Sequence, residues 1–214
     1  MEYFCSWSGG KDSCLALRWA SEQWGPPACL FNMLSEDGEH SRSHGLTREV
    51  LCDQAEALGL PIEFGAATWP DYEAVYVQHL VVMRARGIEA GVFGDVDTDA
   101  HRAWEEGVCR QADMGAHLPL WQAGRPALVR AFLEAGFEAL IVTVDLRFVP
   151  KHFVGRPFDA ATVGELAALG VDVSGEGGEF HTCVTAGPLF ARPVRCRQTG
   201  VHHQGHYAVV ELRL

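Results

Sequence analysis

A chain of 214 residues, 48% of them hydrophobic, is long enough for one large domain, or one main domain with a small appendage, and can fill a core. Its net charge of −11 argues against a broad face for binding RNA or DNA, so nucleic acid is not an expected partner. The sequence has no long uncharged apolar run and no charged-then-apolar leader, so neither a membrane span nor a signal peptide is expected. The seven cysteines are scattered and never in C-x-x-C. They read as reduced thiols of a cytoplasmic protein, packed as small hydrophobes, and they suit neither zinc nor an iron–sulfur cluster. No residue is assigned to a resident metal.

The first element is a short apolar strand, Tyr3-Phe4-Cys5, which runs into Ser8-Gly9-Gly10-Lys11-Asp12-Ser13 and then a helix beginning near Cys14. A strand, a glycine-rich turn and a helix N-terminus make an anion site, because backbone N–H groups and the positive end of the helix dipole converge there. The glycines let the backbone approach a phosphate closely. Lys11 adds a full charge, Ser8 and Ser13 add hydroxyls, and Asp12 is suited to orienting a loop amide or helping to hold Mg²⁺. The spacing is not that of Walker A, since Cys5 stands where that motif has its first glycine. Nor is it the dinucleotide G-x-G-x-x-G. The stretch resembles the PP-loop of the ATP pyrophosphatases, S-G-G-x-D-S, which implies a grip on the β,γ-pyrophosphate of ATP while the α-phosphate is attacked.

Gly25-Pro26-Pro27 ends the first helix, and Ala28 to Leu34 reads as a buried strand. Residues Ser35 to Ser43 are polar and read as a mobile loop. Thr47 opens a helix with Leu51, Ala55 and Leu58 on one face, and Gly59 and Pro61 stop it. A strand is expected over Ile62 to Ala66, a helix from Pro70 to Gly87, a strand over Ala90 to Phe93 running into Gly94-Asp95, and a helix over Asp99 to Met114. After a brief segment at His117 to Trp121 come a helix over Pro126 to Glu134 and the most strand-like run, Glu138 to Val144. This alternation predicts an α/β fold, a doubly wound, mostly parallel sheet. Ligands of such sheets bind at the carboxyl ends of the strands, at the switch point. The rhythm changes near residue 150. The expected division is a nucleotide-binding domain over 1–150 and a smaller, substrate-facing α+β cap over 151–214, with a short helix at Ala160 to Leu169 and two facing strand-like runs, Arg192 to Arg197 and His206 to Leu212.

Inside the predicted cap, Gly175-Glu176-Gly177-Gly178-Glu179-Phe180-His181-Thr182 reads as a loop that brings Glu176 and Glu179 to the ATP site. Carboxylates there suit Mg²⁺ or an amine or ammonium group. A solvated turn is the other reading. Gly94-Asp95 flanks the expected crevice, although an aspartate at a strand end also serves as a helix cap. His44 is placed to touch nucleotide or to be a plain loop histidine. His79 lies on an apolar stripe and reads as core. His202, His203 and His206 fall at a hairpin tip, where a metal role is not favoured. Cys183, beside His181, reads as an inert thiol.

The PP-loop, Ser43-His44, Gln54-Ala55-Glu56-Ala57-Leu58-Gly59-Leu60-Pro61, Phe93-Gly94-Asp95 with Arg102-Ala103-Trp104, Leu118-Pro119-Leu120-Trp121, Gly136-Phe137, Gly155-Arg156, the Gly175–Thr182 block and Gly187-Pro188-Leu189-Phe190 together resemble the diphthine–ammonia ligase (diphthamide synthase) family of PP-loop ATP pyrophosphatases. The resemblance spans nearly the whole chain and implies an adenine nucleotide alpha hydrolase-like fold. It implies an AMP-forming ligase in which a carboxylate is adenylated, pyrophosphate leaves and ammonia attacks to give an amide. Lys11, Asp12, Glu176 and Glu179 are then the catalytic candidates. Ser8, Gly9, Gly10, Lys11, Asp12, Ser13, Met33, Leu34, His44, Gly94 and Asp95 are the nucleotide-binding ones, with backbone groups at Met33-Leu34 facing adenine. ATP and Mg²⁺ are the implied cofactors. The partners are ammonia and a carboxylate acceptor: the translation elongation factor in archaea and eukaryotes, another acid in a bacterium. The family commonly has Cys and Asn where this chain has Ser174 and Gly177, and the chain ends near the close of the ligase domain. A nucleotide sensor without turnover and a PP-loop enzyme with a different acceptor are the competing readings. The oligomeric state stays open, a homo-oligomer included.

Overall fold

The computed structural model describes residues 1–42 and 44–214. Ser43, which the sequence reading placed in the 35–43 loop and in the Ser43-His44 pair, lies outside the described residues. The chain divides into two units. The first comprises Met1–Ser8, Asp12–Arg42 and Leu60–Gln122; the second comprises Gly9–Lys11, Ser43–Gly59 and Ala123–Leu214.

The first unit is built on a parallel sheet of β1 (Tyr3–Ser6), β2 (Cys29–Leu34), β3 (Ile62–Ala66), β4 (Ala90–Val92) and β5 (Gly115–His117), in the order β3-β2-β1-β4-β5. All four pairings are parallel, as the alternation predicts. Helices α1 (Lys11–Trp24), α3 (Tyr72–Ala85) and α4 (Asp99–Gln111) follow β1, β3 and β4 in the chain. The strand order reverses between β1 and β4, which makes their carboxyl ends the switch point. Parallel strands are covered on both faces, so their sequences are continuous apolar runs; all six residues of β2 are buried. Phe4 is the hub, meeting Phe31 and Phe93 edge-on at ring separations of 6.0 and 5.8 Å. Gly91 makes room for it, since a Cβ there would lie 2.5 Å from the Phe4 ring.

The second unit is an antiparallel sheet of β6 (Glu138–Asp145), β7 (Phe180–Ala186), β8 (Arg197–Gln204) and β9 (Tyr207–Arg213), in the order β7-β6-β9-β8. With it go α2 (Arg48–Leu58), α5 (Arg125–Glu134) and α6 (Ala160–Ala168). The α2 ends follow the sequence signals. Thr47 Oγ1 accepts from the Val50 N–H at 3.3 Å, and Gly59 closes the helix in the left-handed region at φ 69°. Arg192 forks onto Asp53 at 2.6 and 3.0 Å, and the Ala191 N–H donates to the Ala57 carbonyl, which ties the segment after β7 to α2.

Three sequence expectations change. β6 does not extend the parallel sheet; it pairs antiparallel with β7 and β9, so the change of sheet falls after Gln122 and not near residue 150. An apolar run of this length fits a buried strand of either kind, and only its partners fix the direction. The strand expected at Arg192 to Arg197 instead begins at Arg197; Pro193 has no N–H to give to a ladder. Finally, Phe180 to Thr182 belong to β7 and are not part of a loop.

Candidate functional site

The second unit holds the middle of the glycine turn, residues 9–11, on a scaffold of its own. The Gly9 carbonyl accepts from the Val184 N–H at 2.9 Å and from Gln54 Nε2 at 3.0 Å. Gln54 is fully buried and also donates to the Val184 carbonyl at 2.7 Å, so one amide side chain on α2 locks the turn to β7. The Lys11 N–H donates to Thr182 Oγ1 at 3.0 Å. That amide is therefore engaged by the protein and is not among the N–H groups the turn has to offer an anion. Both glycines are required by space. A Cβ on Gly9, at φ 81°, would lie 2.7 Å from Gln54 Oε1, and one on Gly10 would lie 2.3 Å from the His44 ring.

Lys11, the first residue of α1, is 6% exposed. Its Nζ lies 3.8 Å from Glu176 Oε1 and 5.9 Å from the centre of the Phe180 ring. The His44 and His181 rings lie 4.7 Å apart, tilted by 36°, with His44 Nδ1 2.9 Å from the Thr182 carbonyl. Burial, then His44 and Lys11, push the His181 imidazole down to about 3, so the ring is neutral at pH 7. Glu179 presents a buried Oε2 with no hydrogen-bond partner among the described residues. Its other oxygen, Oε1, lies where a Cβ on Gly177 would come within 2.6 Å. Gly177, a departure from the family pattern, is thus what leaves Glu179 its space. Ser174, the other departure, is buried and held by both oxygens of Asp172 at 2.8 and 2.9 Å. The second unit therefore brings together Gly9, Gly10, Lys11, His44 and Glu176 of the residues singled out from sequence, and carries Glu179 on the same strand-entry turn.

The first unit carries the rest. Ser8 Oγ and Ser13 Oγ lie 3.1 Å apart, so the two hydroxyls of the turn bond each other. A Cβ on Gly94 would lie 2.9 Å from the backbone of Asp12 and Ser13. Gly94 is therefore the close-approach point that lets the head of α1 sit against the end of β4. Met33 and Leu34 end β2 and are buried; the Met33 carbonyl accepts from the Arg42 N–H at 3.3 Å, and Leu34 bridges to Ser41. Asp95 lies beyond β4 with His101 Nδ1 2.8 Å from its Oδ1. Its other neighbour is Glu105, whose carboxyl is pushed up to about 11 by burial and by its hydrogen bond and charge interaction with Asp95. Glu105 thus stays protonated beside Asp95 at neutral pH.

The sequence reading missed Gln54, His181 and Thr182 as site-building residues. Gln54 carried a usable signal, a long polar side chain on the buried face of an otherwise apolar helix stripe. His202 and His203 lie on the exposed strand β8, with Lys151 Nζ 3.2 Å from His203 Nε2. His206 lies 3.5 Å from Asp145. No group of three or more residues suited to a metal ion occurs among the described residues.

The chain is similar to several known proteins. Residues 1–116 match the diphthamide synthase N-terminal domain, and residues 125–212 match the diphthamide synthase C-terminal domain. The diphthine–ammonia ligase of Rattus norvegicus is 24% identical over 87% of this chain and 79% of its own length. That of Bos taurus is 26% identical over the same shares, and that of Danio rerio is 24% identical over 95% and 90%. A solved structure described as a predicted subunit of tRNA methyltransferase from Methanocaldococcus jannaschii covers 88% of this chain and 98% of its own, at 15% identity and a TM-score of 0.48. With both domain models matched in order along one chain, this protein belongs to the diphthamide synthase family.

Proposed function

We propose that the chain is an ATP-dependent ligase that joins ammonia to a carboxylate in amide linkage, with diphthine, the acid in its relatives' names, as acceptor. The observation that carries this reading is Lys11, a buried cation at the head of α1, inside a glycine turn, within reach of Glu176. A buried ammonium is costly unless an anion meets it, and a cation at the head of a helix, where the dipole is positive, suits phosphate oxygens.

In the proposed reaction an acceptor carboxylate oxygen attacks the α-phosphorus of ATP, and the bond from that phosphorus to pyrophosphate breaks. Lys11 neutralises charge growing on the leaving pyrophosphate. Ammonia then attacks the acyl carbon, the carbon–oxygen bond to AMP breaks, and one proton is released. Glu176 and Glu179 hold the incoming ammonia or ammonium. His181, neutral and on β7 two residues after Glu179, keeps a second cation away from Lys11. Mg²⁺ fits as an ion held mainly by phosphate oxygens and water with at most one or two protein carboxylates, Asp12 being the candidate; such an ion neutralises phosphate charge. No helix is long and apolar enough to cross a membrane among the described residues, and a cytoplasmic, ATP-rich setting suits this chemistry.

The test is the product pair. ATP, acceptor and ammonium should yield AMP, pyrophosphate and amide in equal amounts, whereas release of ADP and orthophosphate would overturn the reading.

A further inference from the structure

Arg42, beyond β2, ends the Asp12–Arg42 segment of the first unit, and it is held in an unusual way. Its guanidinium carbon sits 4.8 Å from the centre of the Trp69 ring and 5.8 Å from that of Tyr72. One terminal nitrogen donates to the Ala67 carbonyl. Its Nε–H is buried without a hydrogen-bond partner, and no carboxylate lies within ion-pair distance of the group among the described residues. A guanidinium carries five donors in a rigid fork suited to two oxygens of a carboxylate or phosphate. Here the fork is fixed in orientation by two aromatic faces and one carbonyl, while most of its donors are unspent.

The place matters as much as the group. Arg42 follows β2, Ala67 and Trp69 follow β3, and Asp95 follows β4; in a parallel sheet these ends share one edge, where ligands bind. Trp69 is 71% exposed, an unusual situation for tryptophan. Tyr72 meets Trp69 edge-on at 5.4 Å and lies against Trp104 at 5.7 Å, so the platform is braced from α4. Asp95 and Glu105 are the acidic groups that act on Tyr72. Asp95 is engaged by His101, and Glu105 carries its proton, so neither cancels the Arg42 charge.

We propose that Arg42, clamped on Trp69 and Tyr72, is an anion-binding group at the carboxyl ends of the first unit's strands and that its anion is the carboxylate of the acceptor. This rests on the ligase reading for the identity of the acceptor. Arg42 forks onto the carboxylate and Trp69 covers the carbon chain that carries it. The same fork also suits a nucleotide phosphate, so the experiment separates the two.

The full-length protein is titrated with three probes: ATP, an elongation factor bearing diphthine, and the same factor unmodified. Arg42→Gln and Arg42→Lys should each weaken binding of the diphthine-bearing factor about ten-fold or more, since lysine has neither the fork nor the stack. ATP binding should stay within about two-fold of wild type. Trp69→Ala should give a smaller loss than either, and Trp69→Phe should retain binding. An unchanged affinity for the diphthine-bearing factor overturns the inference. So does a loss of ATP affinity, alone or in parallel, because the anion is then a phosphate. A wild type that binds the factor equally with and without diphthine also overturns it. A factor held through Arg42 but never converted to amide leaves the inference standing and overturns the ligase reading.

Discussion

The two units solve opposite problems with charge. In the first, a parallel sheet is buried on both faces, and the titratable group at its edge is an acid, Glu105, that burial keeps protonated. In the second, an antiparallel sheet ends in β8, exposed at every residue, and the titratable group at its site is a base, His181, that burial keeps neutral. Desolvation penalises whichever form is charged, so it raises one group and lowers the other. The comparison teaches that burial removes a charge in each unit, that of an acid in the first and that of a base in the second.

The largest expected effect breaks the second unit's contribution outright. Lys11→Ala should lower pyrophosphate release from ATP by about 10²-fold or more, and a variant that turns over at the wild-type rate would remove Lys11 from the phosphate role. Glu179→Gln sharpens the same point. It should leave ATP affinity intact and abolish amide formation, and equal loss of both would move Glu179 into the nucleotide site.

Packing separates the units next. Phe31→Ala, in the fully buried β2, should cost about 3–5 kcal/mol in urea unfolding. Val201→Ala, in the exposed β8, should stay within about 0.5 kcal/mol. Similar costs at the two positions would contradict the difference in burial. Gly94→Ala sits between them. The added methyl meets the Asp12–Ser13 backbone at 2.9 Å, so it should cost about 1–3 kcal/mol and weaken ATP binding with it.

The pH limbs of the two units have opposite signs. The His181 folded value is depressed, so the unfolded chain binds more protons; this contribution to stability is full above the ordinary 6.5 and falls as pH drops towards about 3. The Glu105 folded value is raised, so the folded chain binds more protons; its contribution is full below the ordinary 4.5 and is lost as pH rises towards about 11. His181→Asn should flatten the acid limb of a urea midpoint–pH curve, and Glu105→Gln should flatten the alkaline limb. Exchange of the two effects would contradict the assignments.

Much of this molecule was legible from its residues. The β1 run, the glycine turn and the head of α1 are local, and local chemistry is what a sequence states directly. Helix limits at Thr47 and Gly59 followed from a side-chain oxygen and a positive φ. The alternation of strands and helices from Tyr3 to His117 predicted a parallel sheet, because a helix between two strands returns the chain to start the next strand in the same direction. Partners distant in the chain were not legible. Nothing in Glu138 to Val144 says that it pairs antiparallel with β7, since direction is a property of the neighbour. Nor does Gln54 announce that its amide will reach Gly9 and Val184, 45 and 130 residues away. The sequence by itself singled out the candidate residues for the chemistry, because a glycine turn, a lysine and paired carboxylates are local features. Only the tertiary structure decided which of their hydrogen bonds are already spent, as at Lys11 N–H, and which are still open, as on the Arg42 fork, because satisfaction of a polar group depends on everything packed around it.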